Sequence, residues 1–411
     1  MTGKPEVSVL IPTYNRAHFL PECLASVLSQ TLPPSQVIVI NDGSTDHTGE
    51  VLHSYPGRVE YLEKENGGKA SALNLGLSRV SGDYVWIMDD DDVALGDSLE
   101  RHLRVLENRP EIGFTYGGRY RAETGKDGRI SPLAEVLLPQ VSEEELFLRL
   151  LEQTFILCPA MVVRTCCYRQ VGGFDPALIR SQDYEMILRL SREYQGARVK
   201  GPMYYQRFHG GLRGTAGERF SANLRSAKRR EYTRAIIKKV RGELPLREYL
   251  PRGGGRGGAE TSDQRRAYLQ RMAVMGANGL YEEMQEDLRA AIAEPVEGGP
   301  LSAAEGEILL RLAHHMPLSE GPLFQFRLMR RIRSLCRNPI GQTIQGQLAR
   351  GLYQRARKAW ASKAYGEGLK AARAGLQLGG VRGAADLMIH VLSRRLNSRQ
   401  RSSSARPSRG S

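Results

Sequence analysis

Apolar residues along the first hundred positions arrive in blocks that switch between two periods. Residues 7–11 are almost continuously apolar, as in a strand buried on both faces, and Phe19, Leu20, Cys23, Leu24, Val27 and Leu28 then fall on one face of a helix. The unit repeats with a β-branched run at 37–40, a strand near 59–62, a helical face through Ala70, Leu73, Leu77 and Val80, and a last strand at 84–88. Such alternation predicts a mainly parallel sheet with helices on both faces, and sheets of this kind take ligands beyond the carboxyl ends of their strands. Three polar clusters fall at those ends: Thr13-Tyr14-Asn15, Asn41-Asp42, and the acids Asp89, Asp90, Asp91 and Asp92. Residues 110–224 predict an α+β extension, with strands at 112–116, 160–163 and 203–208 and a helix over 183–194.

Past residue 223 the texture changes. Residues 225–241 form a basic helical stretch, 252–258 a Gly/Arg linker, and the chain to 395 reads as helices punctuated by Gly and Pro. Helical spacing recurs at Tyr281, Met284, Leu288 and Ile292 and again through 360–378; segment 358–378 resembles one helical-hairpin unit, without the fixed period of an array. The Ser/Arg-rich tail, 397–411, is expected to be disordered. Charge divides the same way. Residues 1–224 carry 24 Lys and Arg against 29 Asp and Glu, net −5, whereas 225–411 carry 35 against 16, net +19. A basic region of that size attracts anionic partners such as acidic lipid headgroups, an anionic glycan or nucleic acid. The five cysteines are odd in number and lack paired metal spacing, which argues against a disulfide framework or a zinc site. Apolar runs are far shorter than a membrane span and the N-terminus has no secretory pattern, so the expected location is cytoplasmic.

Four adjacent carboxylates repel one another, and a strand end is a poor place for them unless a cation is expected there. Mg²⁺ and Mn²⁺ take one or two carboxylates and leave their other positions to water and substrate phosphates. The acids do not stand alone. Val-Ser-Val-Leu-Ile-Pro-Thr-Tyr-Asn-Arg at 7–16, Val-Ile-Val-Ile-Asn-Asp-Gly-Ser-Thr-Asp at 37–46, Asn-Gly-Gly-Lys-Ala-Ser-Ala-Leu-Asn-Leu-Gly at 66–76 and the acidic run resemble, in order and spacing, the successive motifs of family-2 glycosyltransferases, the inverting GT-A enzymes. The resemblance continues through 171–175, 181–189 and 204–209, and so covers about residues 5–215.

This resemblance implies an α/β fold with a GT-A-type nucleotide-binding sheet domain over 1–224; the texture of the rest divides it into a basic helix and Gly/Arg linker over 225–258 and a mainly α-helical C-terminal domain over 259–396. The resemblance implies that Pro12, Thr13 and Tyr14 shape the edge receiving the nucleotide, and that Asp42 accepts a hydrogen bond from the imide N–H of a pyrimidine base. Gly68 and Lys69 would approach the diphosphate at a helix start, and Asn74, Asp89 and Asp90 complete the nucleotide-sugar set. Mn²⁺ or Mg²⁺ would be held by Asp89 and Asp91, with His209 approaching the metal or diphosphate. Any alternating pair of the four acids satisfies the pattern, so the ligand assignment is open by one position. Asp183 is the candidate base that takes the acceptor's proton; the family usually shows an acidic pair there, and here Gln182 precedes it.

The expected function is a metal-dependent, inverting transfer of a single sugar from a nucleoside-diphosphate sugar, UDP being the expected nucleotide, to a hydroxyl of a glycan, lipid-linked or protein acceptor. No Gln-x-x-Arg-Trp motif follows, which argues against a processive synthase. Residues 225–411 would serve acceptor recognition or peripheral contact with an anionic membrane at its inner face. One alternative is a sugar nucleotidyltransferase, which would carry a Gly- and Arg-rich triphosphate loop where this chain has Pro12-Thr13-Tyr14-Asn15. Another is a non-catalytic scaffold or nucleic-acid binder using the basic region; intact Asp42, Asp89, Asp91 and Asp183 argue against it.

Overall fold

The computed structural model describes residues 5–125, 129–209, 213–214, 219–220, 225–253, 261–294, 301–318 and 321–379. The tail 397–411 and most of the Gly/Arg linker lie outside them. The chain divides into two compact units, Met1–Ile236 and Ile237–Ser411.

The first unit is built on a nine-stranded mixed sheet. Strands β1 (Val7–Thr13), β2 (Gln36–Asn41), β3 (Glu60–Glu63) and β4 (Tyr84–Ile87) run parallel in the order β3-β2-β1-β4, with Thr13 beside Asn41 and Leu10 beside Ile87. Their near-continuous apolar sequences fit burial on both faces. Helix α1 (Leu20–Leu28) buries Leu20, Cys23, Leu24 and Val27 in the cluster that holds Val7, Val9 and Ile11. Leu10 and Ile40 point the other way, to α3 (Lys69–Leu77), which follows α2 (Thr48–His53); a Cβ on Gly76 of α3 would lie 2.9 Å from Ile40. The helices therefore cover both faces, as the alternation predicts. Each side chain fully buried here contributes roughly 1.5–3 kcal/mol.

Beyond β4 the sheet turns antiparallel. The short β5 (Val93–Ala94) and helix α4 (Ser98–Asn108) lead into β6 (Ile112–Thr124), which folds back as β7 (Ile130–Val136). After α5 (Leu146–Glu152) come β8 (Met161–Arg164), α6 (Thr165–Val171), α7 (Gln182–Glu193) and β9 (Gln195–Arg207), and the sheet closes in the order β4-β8-β6-β9-β5. Sequence spacing located β6 and β9 but underestimated both: each is thirteen residues long. β7 carries Pro132 and lacks alternation, which a strand bonded only to β6 tolerates. The predicted helix through Val80 stops at Leu77.

The second unit is helical among its described residues. Helix α8 (Arg225–Glu243) spans the division, and α9 (Thr261–Ala277), α10 (Tyr281–Ala293), α11 (Ala303–His315), α12 (Pro322–Leu335), α13 (Pro339–Ala361) and α14 (Tyr365–Gly379) follow. α10 buries Tyr281, Met284 and Leu288, the spacing read from sequence. α13 and α14 form a helical hairpin, of which the segment suggested at 358–378 covers only the end of α13, the turn and α14. They approach closely because Gly368 leaves room for Trp360 and Gly379 for Ala349, where an added Cβ would come within 2.5 Å of each.

Candidate active site

The parallel strands bring Thr13, Asp42 and the acidic run to one sheet edge. The backbone ties the ends together: Asp42 N–H donates to the Thr13 carbonyl (2.9 Å) and Met88 N–H to that of Leu10 (2.9 Å). A cavity of about 580 Å³ opens there, lined by Pro12, Thr13, Tyr14, Asp42, Gly68, Lys69, Asp89, Asp90, Asp91, Asp183 and His209, which is every residue expected from sequence except Asn74. Asn74 does not line the cavity. Its amide pairs with the backbone of Phe174, donating to the carbonyl (2.8 Å) and accepting from the N–H (2.7 Å), so it fastens the 172–174 loop to α3. A helix residue one turn deeper than Lys69 faces the protein rather than the opening.

Asp42 is buried, and its two oxygens accept from Lys64 Nζ (2.7 Å), Gly67 N–H (2.9 Å), Gly68 N–H (2.7 Å) and Asn66 Nδ2 (3.2 Å). The carboxylate thereby shapes the loop that delivers α3. Gly68 holds φ +86° just before the helix, a backbone conformation that a side chain would strain. Lys69 opens α3 and spans the cavity: Nζ lies 2.7 Å from Asp89 Oδ1 and 3.0 Å from Asp183 Oδ2. Burial alone would lower this ammonium, but the carboxylates of Asp183 and Asp89 outweigh it and hold Lys69 well above the usual lysine value. The other oxygen of Asp183, Oδ1, is buried with no hydrogen-bond partner among the described residues. Asp183 sits in the first turn of α7, set by Ser181 at φ +63°, a left-handed conformation costly for a non-glycine residue and often found at functional sites.

The acids constrain one another. Burial first, then Asp91, pushes Asp90 up to about 7, against the opposing charge of Arg16 and the hydroxyl of Thr13, which donates to Asp90 Oδ2 (2.7 Å). Burial likewise raises Asp89, with Lys69 opposing and Asp183 and Asp91 reinforcing. Asp91 Oδ2 takes Arg16 Nη1 at 2.8 Å and stands 2.6 Å from His209 Nε2. Asp92 accepts the Arg207 backbone N–H (2.9 Å).

One ligand oxygen from each of Asp89, Asp91 and Asp92 lies within 4.8 Å of the others, so an oxygen-seeking divalent cation fits this donor set. Sequence reasoning named Asp89 and Asp91 and left the choice among the four acids open by one position; the cluster brings Asp92 in beside them. It also assigned no role to Arg16, although Arg16 closes the first motif. Neither Lys64 as the partner of Asp42 nor the cavity-lining Arg119, Arg121 and Arg229 was singled out; for Arg119 and Arg121 the available signal was two arginines two apart on a strand.

Comparison with known proteins agrees with this geometry. Residues 8–167 match the family model described as Glycosyl transferase family 2. The chain is 32% identical over 199 residues to an uncharacterized glycosyltransferase of Rickettsia typhi, covering 47% of this chain and 62% of that one. It is 28% identical over 206 residues to an uncharacterized glycosyltransferase of Haemophilus influenzae (49% and 68%), and 30% identical over 209 residues to the hyaluronan synthase of Pasteurella multocida (50% and 21%). Across five Rickettsia relatives, the chain spans between 28% and 62% of their length. Among solved structures, S. aureus TarS 1-349 in complex with UDP-GlcNAc is similar at a TM-score of 0.47 and 16% identity, over 87% of this chain and 92% of that one. On that family match, residues 8–167 are a glycosyltransferase family 2 domain.

Proposed function

We propose that the chain transfers a single sugar from a nucleoside-diphosphate sugar, UDP being the expected nucleotide, to an acceptor hydroxyl with inversion. The observation that carries this reading is Lys69, whose one ammonium touches both Asp89, on the expected donor and metal side, and Asp183, the expected base. The two roles therefore meet in one cavity, which inversion requires. Asp183, which lines the cavity, takes the proton from the attacking hydroxyl. Lys69 positions that carboxylate and offers its charge, with the N–H groups at the start of α3, to the diphosphate. Pro12, Thr13 and Tyr14 border the nucleotide, and a base N–H reaching Asp42 replaces Lys64. Asp89 and Asp91, with His209 near them, would hold a Mn²⁺ or Mg²⁺ ion, which would supply positive charge to neutralise the departing diphosphate.

The test is UDP release from a panel of UDP-sugars with Mn²⁺. Wild-type protein turns over at least one donor slowly by hydrolysis, and Asp91→Ala abolishes it. A chain that binds no nucleotide under these conditions contradicts the proposal. No helix among the described residues is long and apolar enough to cross a membrane. We place the reaction on the cytoplasmic side, with the net +19 of residues 225–411 drawing the chain to anionic lipid surfaces where lipid-linked glycans are built. Liposome co-sedimentation that is equal for neutral and anionic vesicles overturns this last point.

A further inference from the structure

The cavity has a second chemical character. Besides the acids, it is lined by Arg119 and Arg121 from β6, Arg180 ahead of α7, and Arg229 from α8. The cavity's acids are already engaged elsewhere: Asp42 with Lys64, Asp89 and Asp183 with Lys69, Asp91 with Arg16. Among the described residues no carboxylate lies within ion-pair distance of Arg119, Arg121 or Arg229. Arg119 donates Nε to Gln206 Oε1 (2.9 Å), and the Arg121 guanidinium lies 5.9 Å from the ring centre of the exposed Phe208. Arg229 is exposed on the cavity side, and desolvation and then the charge of Arg119 lower it from the usual arginine value.

This is not a generally basic surface, because residues 1–224 are net acidic. Like charges gathered around one cavity repel unless an anion comes between them. Guanidinium groups present paired donors that match the oxygens of phosphates and carboxylates, which a neutral sugar cannot exploit equally. These arginines and Asp183, the expected base, line the same cavity.

We infer that the acceptor carries an oxyanion, a phosphate or a carboxylate, and that Arg119, Arg121 and Arg229 hold it in the cavity lined by Asp183. The inference rests on the transferase reading above, since it assigns these arginines to the acceptor and Lys69 to the donor. It narrows the acceptor from any glycan, lipid or protein hydroxyl to one on an anionic molecule.

Calorimetric titration of the full chain, saturated with UDP and Mn²⁺, tests it with glycerol 3-phosphate, glucuronate and glucose as probes. At least one anion binds and glucose does not; the tighter of the two anions tells phosphate from carboxylate. The Arg119→Gln/Arg229→Gln variant weakens anion binding at least tenfold and leaves the UDP affinity within twofold, while Arg119→Lys/Arg229→Lys recovers part of the loss. Equal binding of glucose, no anion binding, or displacement of the anion by UDP overturns the inference, the last because it gives the arginines to the donor. Failure of UDP itself to bind wild-type protein strikes the transferase reading, whereas failure of the anions on a chain that binds UDP strikes this inference alone.

Discussion

Two buried charge clusters, the Arg265–Glu305 pair of the helical unit and the cavity cluster of the sheet unit, are built in opposite ways. In the helical unit Arg265 of α9 and Glu305 of α11, about 4% and 2% exposed, close on each other through two bonds of 2.7 and 2.8 Å, and Glu305 also completes the capping box of Ser302. Its partners are satisfied within the fold, and nothing is left to offer a ligand. In the sheet unit Lys69 is shared between two carboxylates, and among the described residues Asp183 keeps a buried oxygen without a partner and three cavity arginines have no acid. A closed pair fixes two helices together; an open cluster leaves valence for something that arrives later. An unpartnered buried oxygen does not by itself identify a site, since Asp287 Oδ2 of α10 is one too; Asp183 differs in lining a cavity together with Lys69 and the acidic run.

The comparison breaks if the two kinds of cluster respond alike. Glu305→Ala leaves the buried Arg265 uncompensated, so it costs on the order of 3–5 kcal/mol of unfolding free energy, read by urea denaturation. A loss below about 1 kcal/mol would remove the structural role. Asp183→Asn goes the other way: transfer falls by about 10²–10⁴ while the melting temperature holds, and UDP binding with Mn²⁺ is retained. A stability loss as large as that of Glu305→Ala would make Asp183 a structural residue instead.

A third prediction concerns a buried group that is neither. His102 of α4 is fully buried, with Nδ1 2.9 Å from Thr115 Oγ1, and burial, helped by Arg101, lowers it to about 3. Its folded value lies below the unfolded one near 6.5, so the unfolded chain takes up the proton first as pH falls. Stability is then complete above about pH 6.5 and lost below it by about 1.4 kcal/mol per pH unit toward pH 3. His102→Asn, which keeps an acceptor or donor near Thr115, flattens that slope by one proton between pH 6.5 and 5 in denaturation curves. An unchanged slope means that His102 does not set it.

The smallest effects separate space from propensity in α14. Gly368→Ala drives a Cβ to within 2.5 Å of the Trp360 ring and destabilises by about 1–3 kcal/mol. Gly366→Ala meets nothing within 4 Å and stabilises by roughly 0.5–1 kcal/mol, because alanine loses less backbone freedom in a helix. Thermal unfolding of the two variants must shift in opposite directions for the hairpin packing to hold.

The sequence by itself determined the parallel half of the sheet, the edge at which Thr13, Asp42 and Asp89 gather, and the helical texture of the second unit, because hydrophobic period and turn chemistry are local signals. It missed β7, since Pro132 and an exposed edge erase the alternation, and it passed over α4 although Leu99, Leu103 and Leu106 keep helical spacing. Tertiary structure alone decided which candidates share a cavity. Lys69 reaches Asp183 across 114 positions of sequence, Asn74 turns away to hold Phe174, and arginines from β6 and α8 line the space that the acids open. Electrostatic complementarity between residues far apart in the chain has no period for a sequence to display; it exists only once folding has fixed the distances.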